Sequence, residues 1–144
     1  MTIAAVLREK GNEVISALPS TTVQEIAEII SSRRIGAVMV LEADGRVAGI
    51  VSERDVVKAL AAKGEGVHTM LAEQIMTRAV ITATPRTTIE QAMEIMDHGY
   101  FRHLPVIEND ALVGIISIRD VVKARLQRHE HEADNMLSFI HGRV

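Results

Sequence analysis

Two short stretches of this chain carry residue types that could do chemistry, Ser52-x-Arg54-Asp55 and Ser117-x-Arg119-Asp120, each preceded by Gly-apolar-apolar. If each stands where a strand runs into a helix, the unpaired N–H groups and the positive end of the helix dipole favour an anion there. A serine hydroxyl can donate to a phosphate oxygen, an arginine can fork onto two such oxygens, and an aspartate can accept from a vicinal diol. Together the three would hold a ribose phosphate. The same Ser-x-x-Asp spacing also makes an ordinary capping arrangement. Capping accounts for Ser and Asp but not for an arginine at the third place in both copies, nor for a glycine lead that would bring backbone close to a ligand. No Ser/His/Asp set, paired carboxylates or Walker loop occurs at workable spacing, so the candidate residues speak for binding, not for catalysis.

The two stretches belong to a longer duplication. Gly49–Lys58 returns as Gly114–Lys123 with eight of ten residues identical, and Pro19–Glu25 returns as Pro85–Gln91. The spacing is 65 residues for the first pair and 66 for the second, so one residue is lost between them. The turn where Glu42-Ala43-Asp44-Gly45-Arg46 faces Glu108-Asn109-Asp110-Ala111 is the natural place, because turns tolerate length changes. Two copies of this length indicate paired α/β units and not a solenoid. They run from about Val14 to Lys58 and from about Val80 to Lys123, and function is expected between them.

Each unit must supply the elements that position its motif. Val23, Ile26, Ala27 and Ile30, and again Ile89, Ala92, Met93 and Met96, have the spacing of an amphipathic helix. Thr22 with Glu25, and Thr88 with Gln91, mark both starts as capping boxes. Hairpins follow: 37–41 and 47–51 about an Asp44-Gly45 turn, then 103–107 and 112–116 about Asn109-Asp110. Pro105 must sit at an edge or strand start, where a backbone donor can be spared. Closing helices begin near Glu53 and Ile118. The expected fold is α/β of the α+β kind: two tandem β-α-β-β-α units packed by pseudo-two-fold symmetry, with helical extensions at both ends. The expected divisions are an N-terminal helical segment 1–13, unit one 14–63, a linker 64–78, unit two 79–124 and a helical tail 125–144.

This constellation resembles the CBS domain, whose units end in a strand of the form Gly-apolar-apolar-Ser/Thr-x-x-Asp. Two units form a Bateman module. The resemblance covers about Val14 to Lys123, including Ile75-Met76-Thr77 and Arg102-His103-Leu104-Pro105-Val106, and is closest to small stand-alone bacterial CBS-pair proteins. It implies two clefts for adenosine ligands: AMP, ADP, ATP, NAD(H) or S-adenosylmethionine. The family's ribose-binding aspartate falls on Asp55 and Asp120, its hydroxyl on Ser52 and Ser117, and its basic neighbour on Arg54 and Arg119. Its base pocket would correspond to Thr82 and Thr84, to Arg34, Ile35, Gly36 and Ala37, and to Tyr100, Phe101, Arg102 and His103 followed by Pro105. Since the last group adds an aromatic face and positive charge, the second cleft is expected to bind more tightly. Core filling is the alternative for Tyr100 and Phe101, and a solvated basic turn for Arg102 and His103. The resemblance also implies a homodimer of disc-like modules.

Composition bounds the rest. With 144 residues, 47% hydrophobic but only two Phe, one Tyr and no Trp, the core must be aliphatic. The absence of cysteine excludes disulfides, thiol catalysis and thiolate metal sites. No apolar run approaches the roughly 20 residues of a membrane helix, and the expectation is a soluble protein of the cytoplasm. A net charge of −3 and a pI near 6.1 give no general attraction to nucleic acid. In the tail, His129, His131 and His141 lack metal-ligand spacing, and Leu126, Ala133, Leu137 and Ile140 read as a stripe packing on the body or on a second subunit. The function expected is that of a regulatory sensor whose nucleotide-dependent packing is read by a protein partner. The alternatives are an interaction scaffold with vestigial sites and, less favoured, a nucleic-acid binder or an enzyme.

Overall fold

In the computed structural model the backbone is described for residues 1–140 and side chains through residue 137; His141 and Ile140's packing lie outside the described residues. The element order is α1 (Ile3–Lys10), β1 (Ser16–Ala17), α2 (Val23–Arg33), β2 (Ala37–Leu41), β3 (Val47–Ser52), α3 (Glu53–Lys63), α4 (Ala72–Ile75), α5 (Ile89–Gly99), β4 (His103–Glu108), β5 (Ala111–Ser117) and α6 (Ile118–Ile140). A 3-10 turn over Gly64–Thr69 leads from α3 towards α4. The mixed α and β architecture, in two tandem units each with a small sheet and helices, is the one the repeat implies.

Both expected hairpins form, with Ala37 opposite Ser52 and His103 opposite Ser117, and each has a register shift, between Val40 and Leu41 and between Val106 and Ile107. Ala37, Val38, Met39 and Val40 are all buried, as are Leu104, Pro105 and Val106, so the first strand of each hairpin is covered on both faces. Unit one adds β1 parallel to β2. Unit two has no counterpart strand, only a single parallel bridge from Ala83 to Val106. One missing donor explains the difference. Met39 N–H donates to the Ile15 carbonyl at 3.2 Å; its equivalent, Pro105, has no N–H to offer Ile81, so pairing begins only where Ala83 donates to Pro105 and accepts from Ile107.

Thr22 and Thr88 cap α2 and α5 by accepting from the amides of Glu25 and Gln91, but only Gln91 returns a bond, at 2.9 Å to the Thr88 amide. Both helices end on left-handed residues that are not glycine: Arg34 at φ 53° and Tyr100 at φ 56°. That conformation costs a side-chain-bearing residue about 1–2 kcal/mol.

A second internal correspondence escaped sequence comparison. Ile3 and Ala4 donate to the carbonyls of Thr87 and Pro85, while Ala72 and Glu73 donate to Thr21 and Pro19, the same positions one repeat earlier. Thus α1 covers unit two just as α4 covers unit one. Accordingly Ile3, Val6 and Leu7 share a core with Ile89, Met96, Leu104, Val106, Ile116 and Val121. Ala72, with Ile75 and Met76 packed against it, joins Ile26, Val38, Val40 and Val51.

The closing helix α6 is continuous through the whole described tail. Arg125 and Arg128 pin it to α5 through Glu90, at 3.6 and 3.1 Å. The expected stripe does not pack on the body at either leucine: Leu126 and Leu137 remain more than half exposed.

Candidate functional site

In both motifs the serine and aspartate form a reciprocal cap. Ser52 donates from its amide and its hydroxyl to Asp55 Oδ2 at 2.8 and 3.0 Å, and its Oγ accepts from the Asp55 amide at 3.3 Å. The second motif repeats this at 2.8, 2.9 and 3.1 Å with Ser117 and Asp120. The capping role is therefore real, and it directs the serine hydrogens to aspartate and not to a phosphate. It engages one carboxylate oxygen only. Asp55 Oδ1 accepts no protein hydrogen bond among the described residues, and remains able to accept from a diol.

The glycine lead has a different purpose from the one expected. A Cβ on Gly49 would stand 2.7 Å from the Met76 sulfur and from the Thr77 carbonyl, and one on Gly114 would stand 2.7 Å from Leu7. These glycines admit the ends of α4 and α1, not a ligand.

A cavity of about 580 Å³ opens between the units. Unit one contributes Gly36, Ser52, Glu53, Arg54, Asp55 and Lys58; the segment after α4 contributes Thr77, Ala79, Val80 and Ile81; unit two contributes Gly99, Tyr100, Phe101, Arg102 and His103. The expected grouping is corrected here. Tyr100 to His103 line the cavity of Asp55, not one with Asp120, because the units pack with the mouth of one hairpin across from the helix start of the other. Gly36 makes that packing possible, since a Cβ there would lie 2.7 Å from the His103 ring. Tyr100 is 88% exposed, which excludes core filling for it, whereas Phe101 packs partly against the core of unit two.

Other expected residues lie elsewhere. Thr82 borders a smaller pocket with Arg46, Arg78 and Asp110. The Thr84 amide donates to Thr87 Oγ1 at 3.1 Å in the turn before α5. Ile35 packs on the core of unit one, Ala37 and Pro105 are buried in their strands, and Arg34 is the left-handed end of α2. Of the cavity residues, Lys58 was the most accessible to sequence reasoning. It lies one helical turn after Arg54 within the repeated decapeptide, and so shares its face.

Charge in the cavity is unevenly matched. Arg54, Lys58 and Arg102 make no ion pair or side-chain hydrogen bond among the described residues. His103 is held below the usual histidine range chiefly by burial, aided by the Lys10 and Arg102 cations, with Glu53 and Asp120 opposing; it is neutral at pH 7. Asp120 has a partner of its own. Lys10 reaches its Oδ2 at 2.7 Å and the Ile115 carbonyl at 2.8 Å. Burial pushes the Asp120 carboxyl up, but hydrogen bonds from Lys10 and Ser117 outweigh it and hold the group below the usual carboxylate range.

The paired units and their repeated Ser-x-Arg-Asp helix starts define a class, and comparison with known proteins agrees: the CBS domain family model matches residues 6–62 and 72–127. The chain belongs to the CBS-domain family. It is similar to a CBS-domain-containing protein of Agrobacterium tumefaciens, at 44% identity and TM-score 0.85, over 87% of this chain and 99% of that one. It is also similar to the CBS domain pair of protein MJ0100, at 25% identity and TM-score 0.77, over 86% and 98%, solved in complex with 5-methylthioadenosine and S-adenosyl-L-methionine. The fold is shared with CBSX2, solved in complex with AMP, at 24% identity and TM-score 0.73, over 89% and 98%. No helix among the described residues is long and apolar enough to cross a membrane.

Proposed function

We propose that this protein is a regulatory module that binds an adenine nucleotide in the Asp55 cavity and signals its occupancy to a protein partner. One observation carries the reading: a cavity of about 580 Å³, within the usual range for small-molecule sites, combines a carboxylate oxygen and three cations that have no side-chain partner among the described residues. Asp55 Oδ1 would take the ribose diol. Arg54 and Lys58, one turn apart on α3, and Arg102 across the interface would take the phosphates. Tyr100 and Ile81, both largely exposed, would cover the base.

The ligands in the MJ0100 and CBSX2 complexes share an adenosine group, which supports that part of the reading. The cations favour a phosphorylated ligand, AMP, ADP, ATP or NAD(H), over 5-methylthioadenosine. The Ser52 hydroxyl and Asp55 carboxylate at the cavity are accounted for by the helix cap they form, which supports a binding role over an enzymatic one. The acidic balance speaks against nucleic acid. Intracellular action, in the cytoplasm, is where such nucleotides are met.

A signal requires that ligand affinity differ between two states. The cavity spans both units, so closing it on a ligand would change their packing. Val57 and Leu60 on α3 are 63% and 54% exposed, and Leu126 on α6 is comparably bare. We infer that these faces pair two chains as a homodimer; a Val57→Lys, Leu60→Lys protein should sediment as a monomer if so, and as the wild-type species if the faces are not used.

The test of the ligand is calorimetric titration with AMP, ADP, ATP, NAD+, NADH, S-adenosylmethionine and 5-methylthioadenosine. Saturable heat with the phosphorylated members, weaker with 5-methylthioadenosine, is expected. No heat with any, in folded and ligand-free protein, would leave an interaction scaffold whose motifs are helix caps.

A further inference from the structure

We propose that Lys10 decides which of the two motifs takes a ligand: its ammonium closes the Asp120 cleft from within the chain, so that nucleotide binds in the Asp55 cavity alone. The inference rests on the nucleotide reading given above, and deepens it by assigning the stoichiometry and the residue that sets it.

The argument runs through the correspondence of α1 and α4. Thr2 bridges to Thr88 as Leu71 bridges to Thr22, and Leu7 stands against Gly114 as Met76 stands against Gly49. Three residues further on, Lys10 matches Ala79 by count alone, and Ala79 lines the Asp55 cavity. The two segments part company after Leu7 and Met76. Past Met76 the chain leaves the helix, and Thr77 exchanges two backbone hydrogen bonds with Ile50, at 2.9 and 3.0 Å. Past Leu7 the chain stays helical to Lys10.

Ile115, the equivalent of Ile50, therefore receives no backbone donor from α1. Its carbonyl accepts instead from the Lys10 ammonium, at 2.8 Å, and the same ammonium reaches Asp120 Oδ2 at 2.7 Å. A four-carbon stem and a charge thus stand at the second aspartate, whereas Asp55 makes no ion pair among the described residues. Asp120 Oδ1, like Asp55 Oδ1, accepts no protein hydrogen bond among the described residues, so what sets the second motif apart is the cation already held between its carboxylate and the strand carbonyl beside it. Charge-assisted bonds of this kind are the strong ones. The pair is also shielded, with Asp120's side chain only 21% exposed.

Lys10→Ala removes the ammonium from the second motif, and Ala79→Lys adds one at a residue lining the Asp55 cavity. AMP titration of the full chain should give one site in the wild type, two in Lys10→Ala and none in Ala79→Lys. Two sites in the wild type, or a single site in Lys10→Ala, overturns the proposal.

A second readout needs no nucleotide. The Asp120 carboxyl, followed by carbon NMR in ligand-free protein, should titrate at higher pH in Lys10→Ala than in the wild type; an unmoved midpoint refutes the closure itself. If AMP binds none of the three proteins while the Asp120 midpoint moves, the nucleotide reading falls and the Lys10 closure stands.

Discussion

Replacing the two repeated glycines separately should give unequal losses, although their sequence surroundings are almost the same. At Gly49 an added Cβ would meet the Met76 side chain and the Thr77 carbonyl, each at 2.7 Å; at Gly114 its three nearest neighbours would all belong to the Leu7 side chain, the terminal methyls at 2.7 and 3.0 Å and Cγ at 3.4 Å. A side-chain end can turn away. A carbonyl in a two-bond bridge cannot move without breaking the bridge. Overpacking costs about 1–3 kcal/mol, and each lost backbone bond about 1 kcal/mol. Against these, alanine in a strand is better than glycine by about 0.5–1 kcal/mol. Gly49→Ala should therefore destabilise by about 2–3 kcal/mol, and Gly114→Ala by about 1 kcal/mol or less. Urea unfolding at constant m-value reads the difference. Because Thr77 and Ala79 to Ile81 line the cavity, Gly49→Ala should also release the Thr77 amide to hydrogen exchange and weaken nucleotide binding. A Gly114→Ala protein as unstable as Gly49→Ala, or a Thr77 amide still protected in Gly49→Ala, would refute the reasoning.

Arg34 holds a left-handed conformation that glycine adopts without steric cost, and it lies outside the cavity, so Arg34→Gly should raise stability by up to about 1 kcal/mol; a loss in thermal unfolding would contradict this. His103 binds its proton less readily when folded than when unfolded, so protonation opposes folding. Its contribution is fully present above the unfolded value of about 6.5 and is lost as pH falls from there towards the lower folded value. Proton NMR should show the His103 ring titrating below the usual histidine value, and His103→Gln should flatten the stability profile across that interval.

Local pattern disclosed a great deal. The i, i+3, i+4, i+7 apolar series located α2 and α5, and the Asp-Gly and Asn-Asp turns located both hairpins, because each of these signals acts over a few residues. What escaped depends on packing between distant segments. The α1 and α4 helices are structural equivalents, yet Ile3-Ala4-Ala5-Val6-Leu7 and Ala72-Glu73-Gln74-Ile75-Met76 share no residue at matching positions; only small or apolar character at the buried places is kept. The glycines looked like ligand contacts because the helix ends they admit were invisible in sequence. Tyr100 to His103 were read with the motif of their own unit, since sequence order cannot show that the hairpin mouth serves the opposite helix. Lys10 lies 110 residues from Asp120, beyond the reach of any spacing rule.

That cross-pairing reverses the ranking suggested by sequence order, and the affinities of two mutants test it directly. In titrations with the tightest-binding nucleotide, Asp55→Ala should lose about 10- to 100-fold, the value of a hydrogen bond or two to a charged group. Asp120→Ala should bind within about twofold of the wild type at the same site. A larger loss in Asp120→Ala, or no loss in Asp55→Ala, would contradict the account of the Asp55 cavity as the nucleotide site.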